Sequence, residues 1–287
     1  MALTLPVQTS EVIGLDDYLA HVRATVDVRD LDSVIASAPR LAALANHRSF
    51  FAEQLCAGLR RWEQFQIGNE YISQSFILGG GPGWFVRANV WTPRAESDDV
   101  RSTQDRVNFY GVAHDHNFSF LTVGYWGSGY ETQIYEVEPG SFEPVVGARA
   151  ELVFLERTRL TTGKVMLYRA HRDVHEQAPP DDMSISLNLM LIPPEVDVQD
   201  QYYFDLHTRR VASVHGIYND RVILLCKLAG ALGGAVDPGV LAGLAERHPA
   251  PRVRAAALQA LADLGDPDAA RKLADTRALA AAGPSRG

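Results

Sequence analysis

His114, Asp115 and His116 set two imidazoles one residue apart. In an extended segment, residues i and i+2 leave the backbone on the same face. Two neutral imidazoles side by side are half of a transition-metal site, because imidazole nitrogen binds iron, copper, nickel and zinc. The competing reading is a polar pair on a solvated strand face. A site needs a further ligand from elsewhere in the chain. His171 and His175 arrive in a second stretch rich in strand formers, and Glu131 lies between. His175 is the expected third ligand. His171 stays open as its alternative, because strand ends read from sequence drift by a few residues. Glu131 is open as an extra ligand, a catalytic carboxylate or an ordinary strand residue. Asp115 alternates away from the metal face, where it is placed to orient a neighbouring group.

These residues need a frame. Leu15, Tyr18, Leu19, Val22 and Val26 follow helical spacing, and further helices are expected over about 30–44 and 50–65. Residues 72–78 read as extended, then Gly79 to Gly83 reads as a turn. It lacks the lysine and the following helix that a phosphate-binding loop requires. Residues 84–91 read as a strand and 92–106 as a polar loop. Short extended runs follow at about 107–112, 116–126, 130–137, 150–157, 163–170 and 183–191, punctuated by Gly, Pro and Asp, and residues 201–215 suggest one more hairpin. Regular short strands with turn punctuation indicate a sandwich or barrel. From Arg221 the chain is alanine-rich and helical. A buried helix is expected over 222–232, one over 237–248 with Asp237 as cap and Pro238 in the first turn, one over 251–265, and a fourth from Asp266. Val253, Arg254, Ala257, Leu258 and Leu261 resemble one unit of a HEAT-type repeat, read as a helical cap or dimerisation piece. The expected parts are an N-terminal helical region (1–66), a β barrel carrying the metal (67–216), a helical segment (217–280) and a frayed tail (281–287).

Composition narrows the partners. The 287 residues are 46% hydrophobic, enough for a sizeable core, and the net charge is −8. An acidic chain is a poor match for nucleic-acid phosphate. Two cysteines, Cys56 and Cys226, exclude a disulfide framework and a thiolate cluster, and both are expected to be buried in helices. There is no basic leader followed by an apolar run, and no apolar run of bilayer length. A cytoplasmic protein is expected, without membrane or nucleic-acid partners.

The run from His114 to Gly124, followed by Glu131-Thr132 and Tyr135-Glu136, resembles the first metal motif of the cupin superfamily, and most closely its cysteine dioxygenase branch. Val174-His175-Glu176 stands where that branch has its third histidine. The strand from Ser184 to Leu191, running into Pro193-Pro194, is similar to the family's closing strand. Phe85-Val86-Arg87 stands where the family has an aromatic-x-Arg that holds a substrate carboxylate. The resemblance covers roughly residues 70–195. It implies a mainly β cupin (jelly-roll) barrel whose His114, His116 and His175 hold Fe(II), with Zn, Ni, Mn or Cu as alternatives. The implied activity is O₂-dependent oxidation of an amino acid or related small carboxylate, with Arg87 as the carboxylate clamp and Tyr130 and Glu131 as further catalytic candidates. Tyr125, Trp126, Tyr130 and Tyr135 are placed to line a pocket. The chain departs from the branch on its last strand. The family's Ser-His-Tyr relay falls at Ser186, Asn188 and Met190, so only the serine remains, and the cysteine of mammalian-type enzymes is absent. A Zn, Ni or Mn isomerase or hydrolase, and a non-catalytic ligand sensor, are the rival readings. A homodimer is compatible with both the family habit and the alanine-rich tail.

Overall fold

The structure, a computed structural model, describes the backbone of residues 3–282 and the side chains of 4–274. The chain divides into two compact units: residues 1–136 with 153–194, and residues 137–152 with 195–287. The N-terminal helices thus share a unit with the strands that carry His114 and His175, whereas the hairpin near 201–215 belongs with the C-terminal helices. Within the tail expected at 281–287, the last helix reaches Ala282 and residues 283–287 lie outside the described residues.

The first unit opens with β1 (Leu3–Leu5), α1 (Leu15–Thr25), α2 (Leu31–Asn46) and α3 (Phe50–Leu59). α2 starts where the Asp30 carboxylate accepts from the Asp32 amide at 3.0 Å, a side-chain cap that satisfies one orphan donor. α3 stops six residues earlier than the apolar pattern suggests, and turns follow it. Next come β2 (Ser75–Gly81) and β3 (Trp84–Trp91), joined through Pro82 and Gly83. The expected glycine turn is therefore mostly strand: Gly79, Gly80 and Gly81 pair with Val86, Phe85 and Trp84. Gly83 alone needs the left-handed region, at φ 77°.

α4 (Asp98–Asn108) replaces most of the expected loop 92–106 and the start of the strand expected at 107–112, of which only an isolated bridge at Tyr110 remains. Its residues are too polar to show an apolar stripe. It is held by Asp98 and Asp99 in the first turn, by the Arg101–Asp98 pair at 2.8 Å, and by the Gln104 amide donating to Thr92 and Pro93. β4 (Ala113–His114), β5 (Phe120–Trp126), β6 (Glu131–Glu136), β7 (Val153–Arg159), β8 (Val165–Tyr168), β9 (Asp173–Ala178) and β10 (Ser184–Leu191) complete the unit. One antiparallel sheet runs β1-β8-β5-β10-β3-β2, and in a second sheet β4, β9, β6 and β7 are successive neighbours.

Strand alternation sorts the first sheet into two faces. Val86, Ala88, Leu121, Val123, Val165, Leu167, Leu187 and Leu189 face α1, α2 and α3 and share a core with Tyr18, Leu41 and Phe50. Phe120, Met166, Tyr168, Trp91 and Met190 point the other way, where they meet Ile134 and Tyr130 from the second sheet's side. The site lies in this second layer. Leu187 is fully buried in the helix-facing core. Leu187→Ala is expected to cost about 2–5 kcal/mol, because transfer and cavity terms add there. Urea unfolding read by circular dichroism checks this; a loss below about 1 kcal/mol would contradict the packing.

The second unit holds the hairpin β11 (Gln201–Asp205) and β12 (Arg210–His215), then α5 (Ile217–Leu232), α6 (Pro238–Arg247), α7 (Pro251–Asp263) and α8 (Pro267–Ala282). Asp237 caps α6 by accepting from the Gly239 amide at 2.8 Å, as the sequence suggests. α5 was expected to be buried, but Leu224, Leu225, Leu228 and Leu232 are exposed, and Cys226 is its buried apolar contact to Leu241, Ala257 and Leu261. Cys226 is buried as expected, and Cys56 is exposed. Among the described residues, no helix is long and apolar enough to cross a membrane. The two antiparallel sheets agree with the expected mainly β architecture of the middle of the chain.

Candidate metal centre

His114 ends β4 and pairs directly with His175 on β9. His175 in turn pairs with Ile134 on β6, and both are fully buried. Strand alternation therefore turns His175 into the space between the sheets. His116 lies past the end of β4, outside regular strand, yet its ring still comes to the same place. Ring centroids are 4.6 Å apart for His114 and His175, 4.9 Å for His114 and His116, and 5.0 Å for His116 and His175. One ligating nitrogen from each lies within 4.8 Å of the others, so the three could hold a metal ion.

The surroundings suit that task. His114 Nδ1 lies 2.8 Å from the Val112 carbonyl. A carbonyl can only accept, so Nδ1 carries the proton and Nε2 is left as the ligating atom. Both nitrogens of His175 are buried without a well-formed hydrogen bond, a costly arrangement for a polar ring unless something else is bound. Phe118 stacks on His116 at 4.6 Å, Phe120 meets its edge at 5.2 Å, and Tyr168 lies 4.7 Å from His175. These rings fix the imidazoles and lower the local dielectric. Burial pulls His114 below the usual imidazole range. Burial, with His114 beside it, pulls His175 well below. Both stand neutral, the form a metal requires.

The sign for stability follows. A histidine whose folded pKa lies below its ordinary 6.5 binds fewer protons folded than unfolded. Stability is then present above about pH 6.5 and falls as the pH drops below it. Metal-stripped protein is expected to lose thermal stability from pH 7 to pH 5, and His175→Leu to reduce that slope. Melting curves at several pH values check this; equal slopes in the two proteins would contradict it.

Other sequence candidates are distributed as follows. His171 is outside the three-histidine group. It adopts φ 56°, and its Nδ1 sits 3.3 Å from Asp115, which is buried beside the site. Glu131 also stands apart: it faces away from Thr132 and Ile134 on β6 and pairs with Arg157, whose Nε donates at 2.7 Å. Of the four expected pocket aromatics, Tyr130 alone joins the inner layer. Tyr125 belongs to the helix-facing core and bonds the Arg48 carbonyl at 2.6 Å, Trp126 is exposed, and Tyr135 packs edge-on against Phe154.

Arg87 lies on the inner face of β3, between Ile77 and Asn188 in the register. Its Nε is buried without a partner, and its guanidinium lies 5.4 Å from the centre of the Tyr71 ring. Burial lowers it to about 10, with Tyr71 and Tyr130 acting in the opposite sense, so it is charged at neutral pH. Burial pushes Tyr130 up to about 12, against the effects of Tyr168 and Arg87, leaving a neutral phenol. The sequence reading passed over Tyr71 and Tyr168. The signal for Tyr168 was available: it shares strand parity with Met166, opposite to Val165 and Leu167.

No family model and no curated protein matches this chain. Among solved structures, similarity reaches a chain from the crystal structures of the DMSP lyases RdDddP and RnDddQII, at 15% identity and TM-score 0.25, covering 41% of this chain and 46% of that one. It also reaches hydroquinone 1,2-dioxygenase PnpCD, solved with Cd²⁺ and 4-hydroxybenzonitrile, at 10% identity and TM-score 0.27, covering 44% and 68%. A third is a cupin superfamily protein from Desulfitobacterium hafniense DCB-2, at 13% identity and TM-score 0.22, covering 41% and 75%. The chain therefore spans less than half the length of the lyase. Likenesses of this size leave the chemistry to be argued from the chain's own residues.

Proposed function

We propose that this protein is a non-haem Fe(II)-dependent oxygenase of the cupin superfamily, similar to the cysteine dioxygenase branch, that oxidises an amino acid or related small carboxylate with O₂. The observation that carries the reading is the pairing, inside one unit, of three clustered histidines with a partly buried cation whose Nε is buried and which, among the described residues, has no acidic partner. Iron held by His114, His116 and His175 would supply open coordination positions for substrate and O₂. Three neutral ligands leave the ion's charge uncompensated, which favours an anionic substrate. Arg87 binds and orients the carboxylate through paired donors. Tyr130, neutral at pH 7, donates a hydrogen bond from the same inner layer, which also contains Tyr168. The rings of Phe118, Phe120 and Tyr168 exclude water from the reacting end.

Met190 stands where the branch has a tyrosine, and this favours keeping a second reading: a Zn, Ni or Mn centre acting as a Lewis acid in isomerisation or hydrolysis. One experiment separates the two. Protein grown without added metal is subjected to elemental analysis and then assayed for O₂ uptake with amino acids and small carboxylates. The oxygenase reading expects iron and an uptake that vanishes in His114→Ala and His116→Ala. Tightly held zinc with turnover under nitrogen would replace it with the Lewis-acid reading.

A further inference from the structure

The inner face of the first sheet is arranged in cross-strand rows. Phe85, Met190, Phe120 and Tyr168 form one row by register, and Arg87, Asn188, Thr122 and Met166 form the next. The first row touches the histidines through Phe120 and Tyr168. The second carries an amide whose orientation is set. The Thr122 hydroxyl donates to Asn188 Oδ1 at 2.6 Å, which commits that end of the amide. Asn188 is 3% exposed, and its Nδ2 has no hydrogen-bond partner. Its register partner across the strand is Arg87, whose Nε is likewise buried and unpartnered. Two buried donor atoms on register partners, neither paired with a carboxylate among the described residues, lack the same thing: an acceptor that carries negative charge.

We propose that Asn188 and Arg87 together form a two-residue cradle for the carboxylate of the substrate, with Thr122 as the residue that positions the amide. The proposal rests on the carboxylate-oxidising reading above and deepens it by assigning the group that reads the anion. Asn188 adds what a guanidinium alone does not: a directional neutral donor on the central strand β10. It also bounds the substrate. Successive inner positions on a strand are about 7 Å apart. The anion row and the row touching the histidines are successive, so a molecule of a few carbon atoms reaches from one to the other.

The test is calorimetric titration of the purified protein with sodium propionate and with propionamide, its neutral near-isostere. Each titration is run with and without EDTA, so that a carboxylate bound to metal is recognised. The cradle predicts propionate binding at least tenfold tighter than propionamide, surviving EDTA. It predicts a further loss of about tenfold in Asn188→Ala, since a hydrogen bond to a charged group is removed. Asn188→Asp keeps the shape and gives Arg87 an internal partner, so it should fold and no longer bind propionate. Equal affinity for the two probes overturns the proposal. Undiminished propionate binding in Asn188→Asp also overturns it, whatever the alanine variant does. Loss of the oxygenase reading shows in the metal and O₂ measurements, whereas loss of the cradle shows in propionate binding with EDTA present.

Discussion

His175→Leu is expected to strip the protein of its metal while leaving it as stable as before, or more stable. His175 is fully buried, and neither of its nitrogens makes a well-formed hydrogen bond; the Asp173 backbone acts on the ring only weakly, against the larger effect of burial. A buried polar group left unsatisfied costs about 1–3 kcal/mol. Leucine has similar bulk and removes that cost, while keeping contact with Tyr168 and Phe120. Metal affinity should fall by at least about 100-fold, because even indirect supports of a ligand are worth 10–100-fold. His114→Leu should behave differently. It loses the same metal affinity, but it also breaks the 2.8 Å bond to the Val112 carbonyl. That leaves a carbonyl without its donor, so the variant melts lower. Metal content by mass spectrometry and melting temperature after EDTA give the two readouts. A His175→Leu protein that keeps its metal and melts much lower would show that the imidazole holds the core and not an ion.

The contrast between what the sequence showed and what it hid has a physical basis. The period-two pair His114 and His116 marked the site because few surface strands place two imidazoles together. The expectation that both sit in one strand was too simple: β4 ends at His114, and His116 comes to the cluster from irregular chain. Period-two patterning is a property of both faces of a buried strand, and on β10 it was ambiguous. Ser184, Ser186 and Asn188 alternate with Ile185, Leu187 and Leu189, which on a surface sheet would put the polar set in water. Here Ser186 and Asn188 are buried, because the apolar set is covered by the N-terminal helices and the polar set faces the site. The serine is used by Trp91, whose Nε1 donates to Ser186 Oγ at 3.0 Å. α4 was invisible for another reason: its stabilising contacts are side-chain hydrogen bonds and charge at the first turn, which leave no hydrophobic period. The C-terminal helices were legible from their caps, at Asp237 and the proline that follows. Their burial was not, because alanine and leucine repeat at helical spacing whether a face is covered or open. α5 shows the consequence, with Leu225 and Leu228 exposed.

Arg87→Met is the second substitution with a large expected effect, and its sign separates two roles. If Arg87 were half of a structural ion pair, removing it would strand a buried carboxylate and destabilise the protein by about 3–5 kcal/mol. Among the described residues, no acidic side chain pairs with it. Its neighbours are Tyr71, Tyr130, Ile77 and Asn188, and burial already lowers its proton affinity to about 10. A partly buried charge whose Nε has no partner, set beside phenols and an amide, is held at a cost, and folding alone gives no reason to keep it. Methionine fills the same channel with an unbranched apolar chain. The variant should therefore match or exceed the parent in stability, by up to about 1 kcal/mol, and should lose carboxylate binding by about 10-fold or more. Lysine is the sharper comparison. It restores the charge without the planar fork, so Arg87→Lys should recover part of the affinity and little of the discrimination between a carboxylate and its amide. Chemical unfolding and anion titration on the three proteins give the answer. A methionine variant that is several kcal/mol less stable would place an unrecognised anion of the protein beside Arg87. In that case the positive charge at the site would serve the fold and not a ligand.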